Sequence, residues 1–193
     1  MKLVTFGGNF CHFPLMEYDV VVVDDSYSQC LDRVSHANDR TTIIHVQSGR
    51  VGDSMEDRRW RIAYLVKVAV ESVQDDVLLL DSDVYVPRLD PNMFASRRVF
   101  SLCIPARAKP SNNVIVFCFG TNLYIPSSYR VFVSKVLQEY LDRNLVNQYV
   151  DIYLTSRLIP MTLVVGGVRH YVRLDDHEEC WELSPSGIAV RCS

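Results

Sequence analysis

At 193 residues the chain is long enough for one well-packed core and short for two, because cores divide beyond about 250 residues. A composition of 48% hydrophobic and 22% charged residues is globular and excludes a disordered or fibrous chain. The formal charge of -3 excludes a general attraction for nucleic-acid phosphates, so an anionic ligand must be met by a metal or a local cluster of arginines.

The elements follow in chain order. Lys2–Phe6 reads as a first strand, Asp19–Val23 as a valine run ending in Asp24-Asp25-Ser26, and Thr42–Val46 as a third run ending in Gln47-Ser48-Gly49. Near-continuous apolar runs of this length are the mark of buried parallel strands. Ser28–Asn38 fits a short helix with Cys30, Leu31 and Val34 on one face. Ser54, with Asp57 three residues on, forms a capping-box pattern, and apolar residues from Trp60 onward carry a longer helix to Val73. Val77–Leu80 is the next strand. These alternating elements predict half of a doubly wound sheet.

Beyond Pro87, Val99–Ile104 and Val114–Phe119 read as strands separated by a polar loop that contains Pro105, Pro110 and Asn112-Asn113. Ser127–Leu141 is expected to open with a cap and continue as a helix, and Val150–Leu158 is a shorter helical segment. Met161–Val165 and Arg169–Leu174 are extended. No repeat or low-complexity linker interrupts the chain, so a single α/β domain over residues 1–193 is expected.

No run approaches the roughly 18 apolar residues that span a bilayer, and Leu3–Phe6 is too short for a signal-peptide core, which makes the cytoplasm the expected location. The six cysteines are far apart and contain no C-x-x-C pair, so they read as buried thiols, with a Cys180–Cys192 disulfide left open.

The strand Val77–Leu80 delivers Asp81 and Asp83 at its carboxyl end, where ligands bind in open α/β sheets. Two carboxylates at i and i+2 can share a hard divalent cation, Mg²⁺ or Mn²⁺, bridged to a diphosphate. The bland alternative is a solvated turn, because Asp is common in turns.

The string Val77-Leu-Leu-Leu-Asp-Ser-Asp-Val-Tyr-Val-Pro87, followed by Leu89-Asp90-Pro91 and Phe94, resembles the D-x-D region of GT-A glycosyltransferases. The resemblance implies a Rossmann-like mixed sheet flanked by helices, with a nucleotide-binding half over 1–86 and an acceptor-side half over 87–193. It implies a nucleotide-diphospho-sugar donor, a glycan, protein or lipid acceptor, and Mn²⁺ or Mg²⁺ held by Asp81, Asp83 and a late histidine, His170. Phe119-Gly-Thr-Asn-Leu-Tyr-Ile-Pro126 is similar to the family strand that carries an Asn beside the sugar, here Asn122.

By the same resemblance, Phe6 lies under the nucleobase, Asp24 or Asp25 bonds the nucleoside, and Arg61, with Arg58 and Arg59, meets the diphosphate or ribose. Asp151, at the start of Val150–Leu158, matches the carboxylate that deprotonates the acceptor in inverting members. The surroundings of Asp81 and His170-Tyr171 also look like retaining members, so stereochemistry stays open. Each residue has a structural alternative: a helix-start acid for Asp151, a hydrogen-bonded strand histidine for His170, and a solvated face for the arginines. Two other readings remain. A haloacid-dehalogenase-like phosphatase would use Asp81 as nucleophile and Asp83 as acid/base, with Lys109 and Asp175-Asp176 in support. A noncatalytic binding module would keep only the fold.

Overall fold

The computed structural model describes residues 1–7, 18–27, 40–81, 84–85, 99–102, 104–108, 113–117, 121–158, 162–165, 169–174, 177–183 and 189–191, with side chains over 1–7, 18–27, 40–81, 121–154 and 156–158. The expected helix at Ser28–Asn38 and all six cysteine side chains lie outside these described residues.

The strands β1 (Lys2–Gly7), β2 (Val20–Asp24), β3 (Thr42–Val46) and β4 (Val77–Asp81) form where the apolar runs predict them. β3, β2, β1 and β4 are adjacent and parallel in that order. The sheet continues through β9 (Leu123–Ile125), β6 (Val99–Leu102) and β10 (Thr162–Val165), giving a seven-stranded order β3-β2-β1-β4-β9-β6-β10. β9 is antiparallel to both its neighbours, while β6 and β10 run with β4. The result is the expected α/β fold, a mixed Rossmann-like sheet.

Burial follows position in the sheet. Every residue of β2 is buried, as are Val77 to Leu80 of β4, because both strands have neighbours on each edge. β3 departs from the expectation of a buried strand. Its residues are exposed or half-buried because it ends the sheet order and, among the described residues, has one neighbour only.

The helix α1 (Met55–Glu71) joins β3 to β4 and lies over β1 and β2. Ser54 caps it: the Ser54 hydroxyl accepts the Asp57 backbone N–H at 3.1 Å and donates to Asp57 Oδ2 at 2.5 Å. The helix ends at Glu71, two residues short of Val73. α2 (Ser127–Asp142) packs on α1, and α3 (Val150–Leu158) packs on both. Val4, Val22, Val77 and Leu79 of the sheet meet Ala63, Val66 and Val70 of α1, Leu137 and Tyr140 of α2, and Leu154 of α3 in one helix-side core.

Three expectations in the second half are corrected. The N-cap of α2 is Pro126 with no side-chain cap bond, and Ser127 is the first helical residue. Proline suits that boundary because its fixed φ leads into the helix. The strand expected over Val99–Ile104 ends at Leu102, and the chain then enters a second strand, β7 (Ile104–Ala108). β7 pairs antiparallel with β8 (Asn113–Phe117), so much of the expected polar loop is a two-stranded ribbon. Pro105 is tolerated in β7 because a two-stranded ribbon leaves one edge of each strand without a ladder partner. The extended Arg169–Leu174 is β11, between β12 (His177–Leu183) and β5 (Val84–Tyr85), with β13 (Ala189–Arg191) beyond β12.

Candidate functional site

β1 has β2 on one side, while the chain returns through α1 to place β4 on the other. The crossover direction changes at β1, and ligands of open α/β sheets bind beyond the carboxyl ends of the strands at such a switch point. Phe6, Asp24 and Asp81 lie at this edge. Phe6 stands opposite both Val22 and Asp81 in register, and Asp24 lies two residues beyond Val22. Gly7, the last residue of β1, adds no side chain beside the end of β2.

Asp81 is held by residues from the strand beyond it. Its backbone N–H donates to Asn122 Oδ1 at 2.8 Å, and Asn122 Nδ2 donates to Asp81 Oδ2 at 3.0 Å. The Thr121 hydroxyl donates to Asp81 Oδ1. Asn122 is fully buried and Thr121 nearly so. Both Asp81 oxygens are therefore oriented. Asn122 thus acts on Asp81 through both ends of its amide. Thr121 is absent from the sequence-based set, although the string Gly120-Thr-Asn122 contains it.

Asp24 is 1% exposed. Its Oδ1 accepts the backbone N–H of Ser26 at 3.0 Å and of Ser48 at 3.3 Å. Among the described residues its Oδ2 is buried without a hydrogen-bond partner. Leaving such an acceptor unsatisfied costs about 1–3 kcal/mol. Asp25, by contrast, is exposed and meets His45 Nδ1 of β3 at 2.7 Å. The Phe6 ring is buried in the helix-side core and supports the strand end from within.

The arginines are engaged with backbone, rings and neighbouring side chains. Arg61 is buried and donates to the carbonyls of Arg50 at 2.8 Å and Gly52 at 2.6 Å. Arg58 pairs with Asp53 at 3.6 Å. Arg59 donates to the Val146 carbonyl at 3.0 Å and lies 3.8 Å from the Tyr149 ring centroid. Arg50 reaches Asn144 Oδ1 at 3.0 Å. These ties bring the segment leading into α3 against the amino end of α1, which starts just after the carboxyl end of β3. Asp151 is half-buried in the first turn of α3.

Asp83 lies outside the described residues, and only the backbone of His170 is described. β11 pairs with β5 so that His170 is opposite Val84, the residue after Asp83 in the sequence. This pairing brings the His170 backbone next to the chain leaving Asp81. Among the described residues no three His, Cys, Asp or Glu side chains form a metal-binding group, and no helix is long and apolar enough to cross a membrane.

No family model matches the chain. The uncharacterized protein ORF208 of Acidianus filamentous virus 2 (isolate Italy/Pozzuoli) is 34% identical over 178 residues, covering 89% of this chain and 81% of that protein. The chain belongs to the ORF208 family. Uncharacterized protein 209 of Sulfolobus islandicus rod-shaped virus 1 is 26% identical over 179 residues, covering 90% of this chain and 82% of that protein. Among solved structures, CTP:phosphocholine cytidylyltransferase from Streptococcus pneumoniae (LicC) matches with a TM-score of 0.51 at 9% identity, covering 88% of this chain and 92% of that one. That likeness is one of fold alone.

Proposed function

We propose that this ORF208-family protein is a metal-dependent glycosyltransferase that uses a nucleotide-diphospho-sugar donor. The observation that supports the reading is the position of Asp24 and Asp81 at the carboxyl ends of the two strands flanking β1, with a buried Asp24 oxygen that has no partner among the described residues and Asp81 fixed by Thr121 and Asn122. Asp24 would accept a hydrogen bond from the nucleoside. Asp81 would face the diphosphate and sugar.

The carboxylate oxygens of Asp81 are hard donors that fit Mg²⁺ or Mn²⁺, and Asp83 and His170 are the further ligands proposed with it. The bound cation would neutralise charge on the departing diphosphate. Asp151 would take the proton of the acceptor hydroxyl as its oxygen bonds to the anomeric carbon and the bond to the diphosphate breaks. The proposed products are a glycosylated glycan, protein or lipid of inverted configuration and a nucleoside diphosphate. The position of Asp81 on β4, with three parallel strands before it, favours this reading over a phosphatase whose nucleophile opens the domain.

The test is a panel of nucleotide sugars with Mn²⁺ or Mg²⁺, scored for nucleoside diphosphate release. Wild type is expected to release it; Asp81→Asn should lose turnover, and Asp151→Asn should lose transfer while retaining nucleotide binding. Normal transfer by Asp151→Asn removes that residue as base, and absence of nucleotide binding with either ion defeats the proposal. Pyrophosphate release from a nucleoside triphosphate would instead indicate nucleotidyl transfer, the chemistry in the name of the cytidylyltransferase.

A further inference from the structure

Thr5 is the polar residue inside the apolar run Leu3–Phe6 of β1. Val4 and Phe6 belong to the helix-side core, so strand alternation turns Thr5 to the opposite face of the sheet. There it is fully buried, in register with Val21 of β2 on one side and Leu80 of β4 on the other, both of them buried as well. Valine has nearly the same shape and would bury between them with no polar group to satisfy, whereas a threonine hydroxyl in that place has to find a partner. It finds one across the strand pair: the Thr5 hydroxyl donates to the Leu80 carbonyl at 2.9 Å. That carbonyl belongs to the peptide that joins Leu80 to Asp81.

The other side of the same peptide is held from β9. The β4–β9 ladder runs as far as Leu79 opposite Leu123, the first residue of β9. Beyond it the Asn122 side chain takes over from the backbone and accepts the Asp81 N–H at 2.8 Å. A trans peptide is planar, with its C=O and N–H on opposite sides of the line between successive Cα atoms. One bond on each side therefore resists rotation of the plane about that line. The plane sets φ of Asp81, and φ sets the direction in which the carboxylate leaves the strand. Thr121 and Asn122 Nδ2 then hold the carboxylate itself.

We propose that Thr5 is a positioning residue for Asp81: with Asn122 it grips the Leu80–Asp81 peptide from both sides, so that the carboxylate is aimed before a ligand arrives. Thr5 acts through Leu80 and touches no substrate. Its consequence for turnover rests on the functional reading above, in which Asp81 faces the diphosphate and sugar; the grip itself does not.

Two variants separate the hydroxyl from the shape. Thr5→Val removes the hydroxyl and keeps the branched side chain, and Thr5→Ser keeps the hydroxyl and removes a buried methyl. Amide hydrogen exchange of the full chain, followed by NMR, reads the grip directly, with Leu79 of the same strand as internal reference. Thr5→Val should raise the ratio of Asp81 to Leu79 exchange about five- to tenfold, as expected for the loss of one neutral hydrogen bond, and Thr5→Ser should leave the ratio at its wild-type value.

Release of nucleoside diphosphate from nucleotide sugars with Mn²⁺ reads the consequence. Thr5→Val should lower kcat about tenfold at unchanged KM, because a misaimed group fails in the reaction and not in binding. Thr5→Ser should keep wild-type kcat even though its Tm falls with the lost methyl. A purely structural Thr5 gives the reverse order, with activity following Tm and Thr5→Ser the poorer enzyme.

An unchanged exchange ratio in Thr5→Val overturns the grip. A raised ratio with wild-type kcat, or activity that follows Tm through both variants, overturns the positioning role while leaving the functional proposal standing. No turnover by wild type counts against the functional proposal alone, and the exchange ratio still decides whether Thr5 grips the peptide.

Discussion

Asn122→Ala isolates the device that orients Asp81. The wild-type amide accepts from the Asp81 backbone N–H at 2.8 Å and donates to its carboxylate at 3.0 Å, and it does so from full burial. A neutral hydrogen bond contributes about 1 kcal/mol net and a charged one about 1.5–3 kcal/mol, so losing both should cost roughly 3 kcal/mol. In a chain of this length that corresponds to a fall in Tm of about 6–12 °C. Urea denaturation of wild type, Asn122→Ala, Asp81→Ala and the double variant closes a cycle. A coupling energy of about 2 kcal/mol is expected between residues that share these bonds. Coupling below about 0.5 kcal/mol would refute the claim that Asn122 stabilises the fold through Asp81.

Two further expectations concern stability away from Asp81. Burial pushes the carboxyl of Asp76 up, but the Ser127 backbone N–H, the Tyr124 hydroxyl and the Ser127 hydroxyl outweigh it and hold the group below its ordinary value of 3.8. A depressed carboxylate contributes stability above its unfolded value and loses it as the pH falls through the folded one. Wild-type Tm should therefore drop more steeply than that of Asp76→Asn as the pH falls below about 4, and parallel profiles would rule this out. Ser54→Ala removes the cap of α1 and should cost about 1 kcal/mol, read as a fall in Tm of roughly 2–4 °C; an unchanged Tm would mean that the cap contributes nothing.

Much of the first half was legible because its signals are local. Apolar runs marked β1, β2 and β4, the Ser54/Asp57 spacing marked the start of α1, and the run before Asp81 marked a strand ending in a carboxylate. The apolar run Val114–Phe119 marked β8, but β7 was not legible, because Pro105 and its neighbours have the composition of a loop. The strand character of β7 comes from its pairing with β8. The burial of Arg61 was hidden for a related reason: its pattern is that of a helix face, and only the approach of the loop after β3 and of Tyr27 encloses it.

By itself the sequence determined which segments alternate between strand and helix and that Asp24 and Asp81 end buried strands, since side-chain hydrophobicity and turn chemistry act over a few residues. Tertiary structure alone decided that those strands flank β1, that β9 enters antiparallel, and that Thr121 and Asn122 hold Asp81 from forty positions or more along the chain. Strand order and long-range hydrogen bonds depend on how the whole chain packs, and no local pattern of residues encodes them.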